Sequence, residues 1–196
     1  MTEKFDPRNA AKLEIPERLV ELPPANIIRL LDLHGDETVV DFGAGTGMYS
    51  IPVAAALPQG RLIAVDEQEV LLDMLRAKLA AQAPAGRLEV VLATGGRVPL
   101  PDGVASRLFM INVLHHVSDD PDALAEIVRL LVPGERLVTV EFAQMDRPVG
   151  PPNDHVLSRD EVRAALTGLG LRELSVHEPG EVGKYHLAVV SEAPRG

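Results

Sequence analysis

Three glycines alternate with small residues in one short stretch, at Gly43, Gly45 and Gly47. Glycine lets a backbone approach a ligand closely, and it adopts the positive φ angles that other residues avoid. The stretch lies between an apolar run typical of a strand and a helical pattern. Asp41 precedes the glycines, and an acidic side chain at such a loop favours a ligand with positive charge. We therefore expect an α-amino group or a sulfonium there rather than a pyrophosphate.

A second acidic residue, Asp66, ends the next predicted strand. A carboxylate at that position can accept hydrogen bonds from the hydroxyls of a ribose. The glycine spacing is G-x-G-x-G, with Met48 where a dinucleotide-binding loop has its third glycine, and no phosphate-binding G-K-S/T follows. Together these features predict a nucleoside site with a non-phosphorylated tail. The alternative is that the glycines form only a tight turn and that Asp66 caps a helix.

Composition excludes several classes of function. The 196 residues are 46% hydrophobic and carry a formal net charge of -10, and an acidic chain of this kind repels a phosphate backbone. We therefore expect no nucleic-acid partner. The absence of cysteine excludes disulfides, thiolate metal sites and cysteine nucleophiles. Because no apolar run approaches ~20 residues and the first residues do not resemble a signal peptide, we expect no membrane association and a cytoplasmic location.

Short apolar runs alternate with helical patterns along the chain. Continuous apolarity predicts strands buried on both faces at residues 38–42, 61–66, 88–92, 108–112 and 136–142. Helical spacing places three sets of residues on inward faces: Leu71, Met74, Leu75 and Leu79; Leu124, Ile127, Val128 and Leu131; Val162, Ala165, Leu166 and Leu169. Asp120 followed by Pro121 predicts the start of the second helix, and Ser158 with Glu161 forms a capping box for the third.

The alternation of strand and helix predicts a mainly parallel sheet that is covered on both faces. The end of the chain differs, because residues 171–176 and 185–191 are strand-like and no helix fits between them. These two runs are expected to form an antiparallel hairpin.

Five segments are similar to the motifs of one family: residues 41–47, 64–66, 98–103, 112–117 and 130–137. Over residues 20–192 the chain resembles the class I S-adenosylmethionine-dependent methyltransferases, in a small single-domain branch. The resemblance implies a Rossmann-like, doubly wound α/β fold. It also implies a seven-stranded sheet ordered 3-2-1-4-5-7-6, with strand 7 antiparallel and helices on both faces. The implied cofactor is S-adenosylmethionine, which becomes S-adenosylhomocysteine as product.

The same resemblance implies the residues of the cofactor site: Asp41, Gly43, Gly45, Gly47, Asp66, Thr94, Gly95 and Asn112. Thr94 aligns with an aspartate that many relatives use to hold the adenine amino group, and its uncharged hydroxyl makes a weaker bond. Gly95 would let the backbone contact adenine. Asn112 either contacts the cofactor or the acceptor, or caps the end of a strand.

Methyl transfer from a sulfonium needs a base only if the acceptor must first lose a proton. His116 and His155 are the candidates for that base, and His115 stands beside the first of them. The alternative for each histidine is ordinary packing or exposure in a loop. Glu141 is a further polar candidate at a strand end, with a solvated loop position as its alternative. We expect no metal site, since adjacent histidines rarely reach one ion.

We expect residues 1–196 to form a single methyltransferase domain, with residues 1–22 as an N-terminal lid and residues 23–192 as the Rossmann-like core. The lid is expected to meet the acceptor, and the proline-rich residues 147–158 to cross the mouth of the site. A small-molecule acceptor is expected. Two alternatives stay open: a non-catalytic module that binds S-adenosylmethionine, and an NAD-dependent oxidoreductase, which Asp41 and Met48 disfavour.

Overall fold

In the computed structural model, which describes residues 6–82, 86–148 and 150–195, one sheet organises the chain. Its strands are β1 (Thr38–Phe42), β2 (Arg61–Asp66), β3 (Leu88–Leu92), β4 (Ala105–Ile111), β5 (Leu131–Phe142), β6 (Arg172–His177) and β7 (His186–Glu192). They pair in the order β3-β2-β1-β4-β5-β7-β6. The pairings among the first five strands are parallel, and β7 is antiparallel to both β5 and β6. The predicted strand order and terminal hairpin are confirmed.

The helices of the described residues are α1 (Glu17–Glu21), α2 (Pro24–Leu31), α3 (Ser50–Ala55), α4 (Glu69–Ala81), α5 (Leu114–Val117), α6 (Pro121–Leu130) and α7 (Arg159–Gly168). Short 3₁₀ helices occupy Pro7–Leu13 and Asn153–His155. The predicted start signals are confirmed. Asp120 accepts hydrogen bonds from the first backbone N–H groups of α6, and Ser158 and Glu161 form the capping box of α7.

Both faces of the sheet are covered by helices, as predicted. One face packs against buried residues of α2, α3 and α4, which include Ile27, Leu31, Val53 and Leu75. The other face packs against α5, α6 and α7, through Leu114, Ile127, Leu130, Val162 and Leu166. Within the described residues, no helix combines the length and the apolar composition that crossing a bilayer requires.

The prediction of burial on both faces is wrong for β3. This strand lies at the edge of the sheet, so only β2 pairs with it. Its residues are half-buried, and Glu89 is exposed. Apolar composition indicates a strand, but it does not tell an edge position from a central one.

The placement of Leu131 on a helix face is also wrong. Helix α6 ends at Leu130, and Leu131 begins β5, where it pairs with Ala105 of β4. Pro133 explains the change, because it disfavours helical conformation at the preceding Val132 and helices usually end before such a residue. At the other end of β4, Asn112 lies one residue beyond the strand with a φ of +57°.

Candidate functional site

A cavity of about 1320 Å³ opens at the carboxyl edge of the sheet. Residues at or just beyond the ends of β1, β2, β4 and β5 line it, together with the first residue of β7. Because β7 is antiparallel, its start lies at the edge where the parallel strands end. Two covering segments, within residues 6–21 and 144–157, also line the cavity. Open α/β sheets bind ligands at this edge, which makes the cavity the candidate site.

The glycine loop connects β1 to α3, and its three glycines all have positive φ, at +77°, +55° and +78°. A Cβ atom at Gly43 would collide with Val113, and one at Gly47 would collide with Leu75. A Cβ atom at Gly45 would have the side chain of Leu13 as its nearest neighbour, at 3.6 Å. Gly43 and Gly47 are therefore required for close packing, whereas Gly45 faces the cavity with space beside it.

Asp66 at the end of β2 is held by two backbone groups. Its Oδ2 accepts a hydrogen bond from the N–H of Gly45 at 2.8 Å, and its Oδ1 accepts one from the N–H of Gln68 at 2.9 Å. The residue is 8% exposed and lines the cavity, and burial raises the pKa of its carboxyl group. Each carboxylate oxygen keeps a second lone pair. Asp66 thus supports the loop and the start of α4, and its ribose contact stays a prediction.

Asp41 on β1 is a second buried carboxyl group at the cavity. Ser50 donates a hydrogen bond to its Oδ2 at 2.6 Å. The pKa of Asp41 is raised to about 7, mainly by burial and also by the negative charge of Asp66, while the bond from Ser50 opposes the increase. This edge of the cavity therefore favours a positively charged ligand group, which would stabilise the ionised carboxylate.

Asn112 forms the turn from β4 into α5. Its backbone N–H donates to the carbonyl of Val140 at 2.8 Å, which fixes the turn despite the positive φ. Its side-chain Nδ2 lies 3.4 Å from Nε2 of His186. Its Oδ1 is buried at the cavity and has no hydrogen-bond partner among the described residues. A buried amide oxygen without a partner can accept a hydrogen bond from an N–H or O–H group of a ligand.

His186 begins β7 and was not predicted as a site residue. It is 4% exposed, and its ring lies 4.4 Å from that of Phe142, centroid to centroid. Burial, together with the positive charges of Arg18 and Arg147, lowers the pKa of His186 to about 3. The ring is therefore neutral near pH 7. The predicted terminal hairpin could have placed His186 at this edge, because the first residue of an antiparallel strand lies beside the ends of the parallel strands.

Of the residues predicted to bind the cofactor, Asp41, Gly43, Gly45, Asp66 and Asn112 line the cavity, Gly47 does not, and the structure brings neither Thr94 nor Gly95 to it. Both are exposed in a tight turn, where the backbone of Thr94 pairs with that of Arg97. Their neighbours Ala93 and Gly96 do line the cavity. The adenine contacts assigned to Thr94 and Gly95 stay predictions.

Glu141, near the end of β5, is fully buried, so the alternative of a solvated loop position is wrong for this residue. Its Oε1 accepts a hydrogen bond from the N–H of Leu114 at 2.7 Å, and its Oε2 lies 2.6 Å from Nδ1 of His115. His115 is 5% exposed and lines the cavity. The sequence offers one indication of this pair: Glu141 is an acidic residue within the apolar run that predicts β5.

The two histidines favoured from the sequence also line the cavity. His116 follows His115 on α5, and their ring centroids are 4.0 Å apart. His155 is exposed in the 3₁₀ helix Asn153–His155. Among the described residues, no three histidine, aspartate or glutamate side chains could share a metal ion.

The described part of the N-terminal segment lies against the glycine loop. Leu13 is the side chain beside Gly45, and Glu14 accepts hydrogen bonds from the hydroxyl of Thr46 and from Nζ of Lys78, the latter at 2.7 Å. Residues 1–5 of the predicted lid lie outside the described residues. The sequence predicted that this segment meets the acceptor, and it did not predict these contacts with the glycine loop. They form because the carboxylate of Glu14 lies within reach of the Thr46 hydroxyl on the loop and of the Lys78 ammonium group near it.

The second covering segment is held by Arg147. Its guanidinium donates to the carbonyl of Ala143 at 2.9 Å and to Oδ1 of Asn153 at 2.8 Å, and it stacks on the ring of Phe142 at 5.0 Å. These contacts tie the loop after β5 to the strand end. As predicted, residues of this segment line the cavity, although Val149 lies outside the described residues.

The family described as "Methyltransferase domain" matches residues 39–134. Among curated proteins, the chain is 32% identical to a ubiquinone/menaquinone biosynthesis C-methyltransferase, UbiE, of Syntrophotalea carbinolica, over 62% of this chain and 51% of that protein. It is 30% identical to UbiE of an Enterobacter species, over 71% of this chain and 58% of that protein. The chain thus spans about half the length of the curated relatives it matches.

A solved structure covers almost all of the chain. The crystal structure of a SAM-dependent methyltransferase from Aquifex aeolicus superposes with a TM-score of 0.88 and is 30% identical in sequence. The match covers 96% of this chain and 99% of that one. With this likeness along the full fold, and with the glycine loop, Asp41 and Asp66 meeting at its carboxyl edge, the chain belongs to the S-adenosylmethionine-dependent methyltransferases.

Proposed function

We propose that this protein transfers the methyl group of S-adenosylmethionine to a small-molecule acceptor. The observation that carries the proposal is the arrangement around Gly45. Its open face lies at the cavity, its backbone N–H is bonded to Asp66, and Asp41 is buried at the same strand edge. Two carboxyl groups beside an uncrowded glycine suit a nucleoside that carries a cationic tail.

The residues present fit this donor. Asp66 keeps lone pairs for the ribose hydroxyls, and Asp41 offers a negative charge to the α-amino group of the methionine tail. The space beside Gly45 leaves room for the tail next to the backbone. The unpaired Oδ1 of Asn112 supplies a further acceptor at the end of β4. We assign these roles to Asp41, Gly45, Asp66 and Asn112, with Gly43 and Gly47 shaping the loop.

The donor supplies an electrophilic methyl carbon on a sulfonium that leaves as a neutral thioether. Because that leaving group needs no help from an acid, the contribution of the protein is to hold the acceptor in line with the methyl carbon and to limit access by water. The two covering segments serve the second purpose. We propose that residues 1–22 form the lid of this site and that residues 147–158 form its more restrained wall, since Arg147 ties that segment down.

Three observations favour a small-molecule acceptor. The cavity is lined by segments of this chain and is large enough for a donor and a modest second ligand. The net charge of -10 disfavours nucleic acid. The curated relatives are described as C-methyltransferases of ubiquinone/menaquinone biosynthesis, which have small organic acceptors by that description.

The test is a calorimetric titration of the protein with S-adenosylmethionine, S-adenosylhomocysteine and NAD. The proposal predicts that both sulfur nucleosides bind and that NAD does not. Binding of NAD alone would favour the oxidoreductase alternative and overturn the proposal. Incubation with donor labelled in its methyl group and a panel of hydroxyl, amine and thiol compounds then separates an enzyme from a binding module, because only an enzyme moves the label.

A further inference from the structure

We propose that His115, oriented by Glu141, is the base that removes a proton from the acceptor, and that the acceptor is therefore a molecule with an acidic hydroxyl, a phenol or an enol. This inference rests on the proposed methyl transfer. It adds the catalytic residue and the chemical class of the acceptor.

The position of Glu141 is the first argument. The residue is 0% exposed on the face of β5 that also carries buried Leu137 and Thr139. A buried carboxylate is unfavourable unless its lone pairs are used. Here one oxygen accepts the N–H of Leu114 and the other contacts the ring of His115. An apolar residue would pack this position without that requirement, so the carboxylate indicates a role at the ring.

The contact with Glu141 also settles which nitrogen of His115 is available. Nδ1 lies 2.6 Å from the carboxylate and donates its hydrogen there. In the neutral ring Nε2 then carries the lone pair, and Nε2 makes no bond to Glu141. His115 lines the cavity, so a ring with a fixed tautomer stands at the proposed acceptor space.

The local backbone fixes the direction of the ring. The turn at Asn112, with its φ of +57°, directs the chain from β4 into α5. The same carboxylate binds both the backbone at Leu114 and the ring of the next residue. Glu141 thus holds the start of α5 and the orientation of His115 together, which is the preorganisation that a proton transfer requires.

The other histidines at the cavity are less suited to this task. His186 has its ring nitrogen Nε2 against Asn112, and its burial with Arg18 and Arg147 nearby disfavours a proton on the ring. His155 is exposed on a short 3₁₀ helix and has no carboxylate partner among the hydrogen bonds of the described residues. His116 packs beside His115 and can accompany it, but the carboxylate of Glu141 contacts His115.

The O–H bond of the acceptor breaks, its proton binds Nε2 of His115, and the charge of Glu141 stabilises the imidazolium. An electron pair of the resulting anion forms the bond to the methyl carbon, and the pair of the carbon–sulfur bond stays on sulfur. After attack by oxygen, the imidazolium releases its proton to water. After attack by a conjugated carbon, the hydrogen of that carbon leaves to water and the imidazolium returns its proton to the oxygen.

The experiment compares two acceptors of similar size in wild-type protein and in His115→Gln. One is an unsubstituted phenol, which is protonated at the assay pH, and the other is a nitrophenol, which is ionised. We expect His115→Gln to lower kcat by about 10²- to 10⁴-fold on the protonated phenol. We expect a much smaller loss on the ionised one, and unchanged affinity for S-adenosylhomocysteine. An equal loss on both acceptors would show that His115 only packs, and would overturn the inference.

Two further measurements keep the inference testable if that variant does not fold. In wild-type protein, ¹⁵N NMR of the histidine rings should show the hydrogen of His115 on Nδ1, and a hydrogen on Nε2 would overturn the proposal. Glu141 is a positioning residue, so Glu141→Gln should abolish this tautomer preference and lower kcat with little change in KM. If the protein binds the donor but methylates only amines, the base assignment fails while the proposed function stands. If it binds no sulfur nucleoside, the proposed function itself fails.

Discussion

The backbone N–H of Gly45 donates a 2.8 Å hydrogen bond to the carboxylate of Asp66. This bond joins the loop after β1 to the end of β2, so the two halves of the predicted nucleoside site are one hydrogen-bonded unit. A substitution at Asp66 therefore acts on the shape of the loop as well as on any ligand that contacts the carboxylate.

Asp66→Ala should weaken binding of S-adenosylmethionine by roughly 30- to 1,000-fold, since a doubly hydrogen-bonded carboxylate contributes on the order of 2–4 kcal/mol. The variant also leaves the N–H groups of Gly45 and Gln68 without their acceptor, so the glycine loop should lose order. Calorimetry gives the affinity. Asp73→Ala, on the exposed surface of α4, is the matched control and should bind normally. A loss below threefold with the fold intact would contradict the role of Asp66.

Gly45→Val should abolish binding of the methyl donor while the protein still folds. The side chain would enter the space beside the loop, where the nearest atom is Leu13 at 3.6 Å, and the φ of +55° adds strain of about 1–2 kcal/mol. Gly47→Ala is the contrasting variant, because its Cβ collides with Leu75 in the core. Gly47→Ala should therefore lower the melting temperature more than Gly45→Val does. Normal donor affinity in folded Gly45→Val would show that the loop is only a turn.

The sheet could be predicted in detail because its signals are local. Runs of apolar residues indicated the central strands, and the proline and glycine turn at residues 179–180 left no room for a helix before β7. The helix starts at Asp120 and Ser158 were predictable for the same reason, since capping depends on the two to four residues that follow. The error at β3 came from its position in the sheet, which a local pattern does not contain. The error at Leu131 was local, because Pro133 ends the helix before that residue.

The candidate site was predictable only in part, because side-chain partners come from distant segments. Glu141 and His115 are 26 residues apart, and Asn112 and His186 are 74 apart. The direction of each histidine ring on α5 depends on the elements that pack against that helix. Spacing in the sequence therefore could not distinguish His115 from His116. Burial of Glu141 likewise follows from the helices that cover β5, which the sequence around it does not show.

Glu14→Gln should loosen the N-terminal segment without unfolding the protein. The carboxylate binds Thr46 and Lys78 at a half-buried site, and such pairs contribute about 0–1 kcal/mol. Hydrogen exchange should therefore rise within residues 7–13, while the melting temperature changes little. Glu17→Gln, at an exposed position of α1, is the control and should leave this exchange unchanged. Equal protection in wild type and Glu14→Gln would show that Glu14 does not hold the segment.

Asp41→Asn should stabilise the protein at pH 8 relative to wild type, and much less at pH 4. The pKa of Asp41 is raised to about 7 in the fold, from the ordinary aspartate value of 3.8. The folded state therefore binds the extra proton between those values, and wild-type stability falls as pH rises through this range, by on the order of 4 kcal/mol. Asparagine has no charge to desolvate and can still accept the bond from Ser50. Denaturant unfolding at both pH values measures the difference, and a gap independent of pH would contradict the raised pKa.

The same carboxyl group should couple binding of the methyl donor to proton release. A cationic amino group beside Asp41 favours the ionised form, so binding lowers its pKa from about 7 and expels a proton over the range in which the free protein still holds one. Affinity should therefore rise with pH up to about 7 and level off above it. Calorimetry at pH 6.5 in two buffers of different ionisation enthalpy counts the protons released, and Asp41→Asn should reduce that count. If wild type and Asp41→Asn release equal numbers of protons, Asp41 does not bind the charged end of the donor.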